Sequence, residues 1–192
     1  MVVGDDARGP GRNGAHSPVV GRCPPILSTM RAMPKQLWAP WRLEYVSQAD
    51  ELPGCPLCAE AAGEVEESLV VHRGRAAFAL LNKYPYSSGH LMLAPYEHVG
   101  ELEQLDDETA LELHHLGLQS LAALRSLYRP AGFNLGANIG RSAGAGIPEH
   151  VHMHVVPRWA GDTSFMPVLA DVKVMPEHLL ETRDRVREAW PR

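Results

Sequence analysis

The sequence predicts a single domain that mixes a sheet of short strands with two helices, led by an arm without regular structure. Apolar runs of four to seven residues, punctuated by glycine and proline, mark the strands. A long stretch with apolar residues at three- and four-residue steps marks one helix, and a charged run near the C-terminus marks the other. The strand pattern is sharpest at 150–156, where His150, His152 and His154 alternate with Val151, Met153 and Val155 between Pro148 and Pro157.

Composition permits this plan. At 192 residues and 45% hydrophobic content the chain can bury one ordinary core. A net charge of −5 offers no bulk attraction for nucleic acid or a membrane surface. No apolar run approaches the roughly 20 residues that a spanning helix needs. The three cysteines, Cys23, Cys55 and Cys58, do not make a disulfide framework, so a cytoplasmic protein is expected.

Residues 1–32 are rich in Gly, Pro and Arg and carry no periodicity. Such a segment cannot offset its ordering entropy, so it is expected to be disordered and dispensable, with Met30 and Met33 both plausible starts. The domain is expected to span 33–192. Trp38, Trp41 and Tyr45 lie within nine residues of one another, which suits core packing or a segment docked on the domain or a partner copy. Cys55 and Cys58 then form a CxxC, half of a zinc knuckle or a redox pair. No strong strand precedes it, which favours zinc provided two further ligands lie downstream.

Strands are expected at Leu69–Arg73 and Ala76–Leu81, turning at Gly74. The loop Asn82–Gly89 and a strand at Leu91–Ala94, ended by Pro95, follow. Asp106 and Asp107 offer an N-cap, with Glu108 in the first turn. Ala110, Leu113, Gly117, Leu121, Leu124 and Tyr128, flanked by Leu116 and Leu127, trace an amphipathic helix stopped by Pro130 and Gly132. His114 and His115 read as ordinary surface residues on it. Phe133–Ile139 is the next strand, followed by the glycine-rich loop Gly140–Gly146. Phe165–Val174 is a further candidate strand. Pro176–Trp190 reads as a charged helix with Leu179, Leu180, Val186 and Trp190 inward.

On a strand, alternate side chains share a face, so His150, His152 and His154 should stand in a row at roughly 7 Å spacing with the apolar residues turned to the core. Nothing structural requires such a row. It suits a metal site or a nucleophile with its helpers, because neutral imidazole serves as either. The neighbouring glycine-rich loop matches neither a Walker A nor a dinucleotide fingerprint. Backbone N–H groups in such a turn can nevertheless cradle phosphate oxygens.

The run His150–Val156 resembles the signature HφHφHφφ, with φ apolar, of the histidine triad (HIT) family of nucleotide hydrolases and transferases. The segment from Leu80 and Asn82 through Gly89, His90 and Pro95 is similar to that family's nucleotide-binding segment. Asn134–Gly140 resembles its strand before the triad. The resemblance covers roughly Leu37 to Trp159 and implies an α+β fold: an antiparallel sheet of about five strands, two main helices and a homodimer. It implies His152 as the nucleophile toward the α-phosphorus of a nucleotide ester or anhydride, forming a covalent nucleotidyl intermediate. His154 would then contact phosphate oxygens or the leaving group, and His90 and Asn82 would lie near the nucleotide. Asn138 and the loop through Gly144, Ala145 and Gly146 would form the phosphate side.

Members that carry a CxxC complete a Cys2His2 zinc site. By that resemblance the set here is Cys55, Cys58, His98 and His150, closed and structural. The family's dinucleoside polyphosphate hydrolases carry a glutamine in the loop before the triad, where this chain has Ala145, Gly146 and Ile147. That loop is more similar to the branch of bacterial diadenosine tetraphosphate phosphorylases, which resolve the intermediate with inorganic phosphate. Hydrolysis of dinucleoside polyphosphates or nucleoside phosphoramidates, and non-catalytic nucleotide binding, are the competing expectations. A zinc hydrolase using the whole triad as ligands stands last, for want of an acidic partner other than Glu149.

Overall fold

In the computed structural model, residues 54–162 and 177–191 are described. The strands Val70–Arg73 (β1), Ala77–Leu81 (β2), Leu91–Pro95 (β3), Gly132–Ala137 (β4) and Met153–Arg158 (β5) form one antiparallel sheet in the order β1-β2-β3-β5-β4. Three α-helices accompany it: Pro56–Ala62 (α1), Asp107–Tyr128 (α2) and Leu179–Glu188 (α3). This is the α+β architecture expected, with α2 and α3 as the two main helices. The arm 1–32, the tryptophan segment at 37–45 and the candidate strand at 165–174 lie outside the described residues.

The sheet separates two apolar layers because strand side chains alternate. Ala77, Ala79, Leu81, Leu91, Leu93 and Val155 pack with Leu113, Leu116 and Leu124 of α2 and Val186 of α3. Phe78, Leu80, Met92 and Ala94 face the opposite side, where Leu57 of α1 covers them. The central strands β2 and β3 are therefore buried along their whole length. At one sheet edge, α3 shields β1: Arg183 donates to the Ser68 carbonyl at 2.9 Å, and Arg187 Nη2 to that of Val70 at 2.6 Å. Trp190 stacks on His72 with ring centroids 5.1 Å apart. At the other edge, β4 leaves Asn134, Leu135 and Gly136 exposed.

Local chemistry explains the element ends. Asp106 caps α2 by accepting from the Thr109 N–H at 2.7 Å, and Arg129 closes it in the left-handed region at φ 45°. The inward face of α2 follows Thr109, Leu113, Leu116, Gly117, Ser120, Ala123 and Leu124. Ala110, expected on that face, is exposed instead, because the buried stripe drifts by a residue at its N-terminal end. His114 and His115 are exposed, as expected of surface residues. Glu112 ties α2 to the β1–β2 turn, its carboxylate accepting from the N–H groups of Arg75, Ala76 and Ala77 at 2.7, 2.5 and 3.1 Å.

The histidine run departs from a uniform strand. The ladder of β5 begins only at Met153. Before it, the Val151 N–H donates to the Val99 carbonyl in a loop at 2.7 Å rather than to a neighbouring strand. Val155 nevertheless faces the helical layer, with Met153 packed against it.

Candidate active site and metal centre

Because the ladder starts late, the three histidines do not stand as one row. His150 turns toward the CxxC, whereas His152 and His154 stay together with ring centroids 5.0 Å apart. Two sites result, joined at one residue.

The first gathers Cys55, Cys58, His98 and His150, whose ligand atoms all lie within 4.8 Å of one another. Cys55 caps the N-terminus of α1, which carries Cys58 one turn later, while His98 follows the end of β3. The Sγ atoms of Cys55 and Cys58 lie 3.3 and 3.5 Å from His150 Nδ1, and Cys58 Sγ lies 3.2 Å from His98 Nδ1. Four ligands bonded at about 2.0–2.3 Å on a tetrahedron stand about 3.5 Å apart, so the spacing fits one such ion. Two thiols and two imidazoles, without a carboxylate among them, are a borderline-soft donor set. His150 is fully buried, and its Nε2 donates to the Pro95 carbonyl at 3.0 Å, which leaves Nδ1 as the lone pair facing the thiols. The knuckle is also tied down without metal. The Glu60 carboxylate accepts from Ser68 Oγ at 2.6 Å, and Arg73 donates to the Ala61 and Glu60 carbonyls at 2.8 and 2.7 Å.

The second site holds His152, His154 and His90. His152 Nδ1 donates to the His150 carbonyl at 2.9 Å, so its lone pair is on Nε2. Burial holds His150 and His152 below the ordinary imidazole range, outweighing the carbonyls that pull the other way, and keeps both rings neutral. His90, at the start of the β3 segment, is fully buried, and its Nε2 lies 3.0 Å from His154 Nδ1.

The remaining expected positions fall around this pair. Asn82 accepts from the Tyr84 N–H through Oδ1 at 2.8 Å, an Asx turn that shapes the loop leading to His90. Asn138 spans the glycine-rich loop to the Gly144 carbonyl at 3.4 Å. Gly140 and Gly144 adopt φ of 75° and 84°, a region open to glycine. The N–H groups of Ala143, Gly144 and Ala145 donate to carbonyls of Gly140 and Arg141 within the turn. Those three donors therefore serve the loop itself and do not form an outward cradle.

Sequence reasoning missed Tyr86. Its backbone N–H donates to His90 Nδ1 at 3.0 Å, and its ring stacks on His90 at 4.7 Å. An aromatic residue four positions before His90, in the loop that also holds Tyr84, was the available signal. The backbone acceptors Pro95 and Val99 were missed too, since a carbonyl leaves no mark in side-chain patterns.

Comparison with known proteins bears on both sites. The HIT domain model matches residues 63–161. A Mycobacterium tuberculosis protein named AP-4-A phosphorylase is 40% identical over 166 residues, covering 82% of this chain and 85% of that protein. Protein hit of Bacillus subtilis is 29% identical over 111 residues, 58% of this chain and 75% of that protein. Among solved structures, a hypothetical histidine triad nucleotide-binding protein from Sulfolobus tokodaii superposes with TM-score 0.58 at 29% identity, over 70% of this chain and 91% of that one. A Zn-bound histidine triad family protein from Mycobacterium smegmatis superposes with TM-score 0.59 at 24% identity, over 71% and 92%, a likeness of fold. Among the described residues no helix is long and apolar enough to cross a membrane.

Proposed function

The chain belongs to the HIT domain family, and we propose that it is a nucleotidyl-transferring enzyme that cleaves dinucleoside polyphosphates, diadenosine tetraphosphate first among them, by phosphorolysis. The observation that carries this reading is the tie between His152 Nδ1 and the His150 carbonyl at 2.9 Å, which leaves a neutral ring with its lone pair on Nε2. That nitrogen attacks the α-phosphorus, and a covalent nucleotidyl-His152 splits one hard displacement into two easier ones. His154 donates from its outer nitrogen to a phosphate or bridging oxygen and stabilises charge there. His90 is a positioning residue, because it touches His154 and is sealed from solvent. Asn82 supports the nucleotide side of the site, and Asn138 with the loop through Gly144, Ala145 and Gly146 borders the phosphate side, the N–H groups of Gly144 and Ala145 shaping that loop rather than donating to phosphate.

Cys55, Cys58, His98 and His150 would hold one zinc ion, which supplies a structural cross-link between the knuckle and the segment bearing His152. A homodimer is the assembly that suits the exposed Leu135 on β4 together with Leu111 and Leu118 on α2. Residues 1–32 are proposed as a dispensable arm before this domain. The 40% identity to a protein named AP-4-A phosphorylase favours inorganic phosphate over water as acceptor.

Product analysis of purified protein with diadenosine tetraphosphate tests the reading. ADP and ATP appearing only with inorganic phosphate, and neither with His152→Ala, are expected. AMP and ATP without phosphate would make the enzyme a hydrolase, and full activity of the variant would remove His152 from the reaction.

A further inference from the structure

We infer that Cys55 and Cys58 are a modification site as well as ligands: a hydroperoxide oxidises them to a disulfide, which empties the proposed metal centre and slackens the hold on His152. The effect on turnover rests on the reading above, in which His152 is the nucleophile. The oxidation itself does not.

The placement of the two sulfurs carries the inference. Cys55 is the N-cap of α1, and Cys58 lies in its first turn with Pro56 at the start of the helix between them. An N-cap side chain reaches back over the third residue of its helix, so this arrangement brings both thiols to one spot. Their Sγ atoms lie within 4.8 Å of each other. A disulfide needs about 2.05 Å, a gap that rotation about χ1 closes. Access is lopsided. Cys58 meets His98 on the open side, where His98 is exposed and both cysteines are half-buried, whereas His150 is fully buried. A small oxidant therefore reaches Cys58 first. Cys55 and Cys58 are the free cysteines among the described residues, and Cys23 lies outside them. The two thiols also stay together without a metal, because Glu60 and Arg73 tie α1 to the two ends of β1.

The step balances with one hydroperoxide. The Cys58 thiolate gives an electron pair to its terminal oxygen, the O–O bond breaks, and the departing alkoxide takes a proton. Cys58 is then a sulfenic acid. The Cys55 thiolate attacks that sulfur and an S–S bond forms. The S–O bond breaks with its pair on hydroxide, which takes a second proton. Each sulfur has given up one electron, and the hydroperoxide has been reduced by two to an alcohol and water. Thiolate is the ligand form of cysteine, so two of the four ligands are lost. The buried Nδ1 of His150, 3.3 and 3.5 Å from the two sulfurs, then loses the partners it faces. An unpaired buried acceptor is costly, so the His150 ring moves, and with it the carbonyl that fixes His152 Nδ1 at 2.9 Å. A reversible thiol reaction at the knuckle thereby lowers the rate at the nucleophile.

The test treats the zinc-loaded full chain, carrying Cys23→Ser, with hydrogen peroxide. Mass spectrometry after alkylation should show a Cys55–Cys58 disulfide, and a chromophoric chelator should gain zinc in step with it. A misplacement of about 1 Å costs on the order of 10²-fold, so kcat with diadenosine tetraphosphate and inorganic phosphate should fall about tenfold or more while the Kd of AMP holds. Dithiothreitol with added zinc should restore both metal and kcat. Sulfinic acid at Cys58 in place of a disulfide, zinc retained after oxidation, or a chain that binds no zinc overturns the modification site. A disulfide with unchanged kcat, or a loss that dithiothreitol does not reverse, overturns the link to His152. An untreated protein without turnover, or a fully active His152→Ala, defeats the earlier reading instead, and the disulfide and the zinc release are then judged alone.

Discussion

Replacing Glu112 by alanine should detach the β1–β2 turn from α2 and cost a measurable share of the stability. Its carboxylate accepts from Arg75, Ala76 and Ala77 at 2.7, 2.5 and 3.1 Å. Gly74 makes the approach possible, since a Cβ there would stand 2.4 Å from Glu112 Oε1 and 2.9 Å from the Ala77 carbonyl. In Glu112→Ala the Arg75 N–H can turn to water, but the part-buried donors of Ala76 and Ala77 are poorly rehydrated. At about 1–3 kcal/mol for each of the two stranded donors, the loss is about 2–6 kcal/mol. In a chain of this size that lowers Tm by about 4–24 °C. Burial pushes the Glu112 carboxyl up, but the three backbone donors and the Arg75 charge together pull it below its ordinary value. A carboxyl lowered on folding stabilises above its unfolded pKa, and that contribution is lost as pH falls through the folded one. The stability gap between wild type and Glu112→Gln should thus be full above about pH 5 and shrink below about pH 4. Urea unfolding followed by circular dichroism across this range measures it. A gap under about 0.5 kcal/mol at neutral pH, or one that widens on acidification, would refute the reasoning.

Three further outcomes are expected. His152→Ala should keep about one metal ion per chain by elemental analysis, whereas Cys55→Ser and His98→Ala should lose it; metal loss in His152→Ala would mean the triad shares the ion. Leu135→Lys, on the exposed edge of β4, should turn a dimer into monomers by light scattering, and a monomeric wild type would remove the homodimer. Deleting residues 1–29 should leave folding and turnover intact, and a large loss of either would show that the arm belongs to the domain.

Most of the fold was legible because period-two and three-to-four-residue patterns record burial directly. Four of the five strands lie within two residues of their expected bounds, and β5 begins three residues late, where the chain stops obeying the ladder. At His150 and His152 alternation continues in the sequence while pairing does not, because the partner of Val151 is a loop carbonyl of Val99. Ala110 failed for a milder reason: alanine fits either side of a helix, so it cannot mark where a stripe drifts. The CxxC spacing pointed to zinc, the resemblance to the histidine triad family supplied His98 and His150 as its partners, and the geometry does gather these four. The glycine-rich loop misled in part, since glycine density predicts a tight turn but not which way its N–H groups point. Those of Ala143, Gly144 and Ala145 point inward.

What the sequence cannot express is the backbone's own part in the chemistry. His150, His152 and His90 each have one ring nitrogen fixed by a main-chain group: the carbonyl of Pro95, the carbonyl of His150 and the N–H of Tyr86. The other nitrogen of His90, Nε2, meets His154 Nδ1 at 3.0 Å. Main-chain partners do not ionise, so these assignments do not drift with pH as they would against carboxylates or other titrating groups. One carbonyl also links the two sites, because His150 presents its ring to the thiols and its oxygen to His152. Tension on the proposed metal would therefore reach the proposed nucleophile through a single residue, without altering the sheet that begins at Met153. A metal-free protein should on this argument keep its β-sheet spectrum and its nucleotide affinity but lose kcat. Equal loss of binding and turnover on chelation would place the metal's role in folding instead.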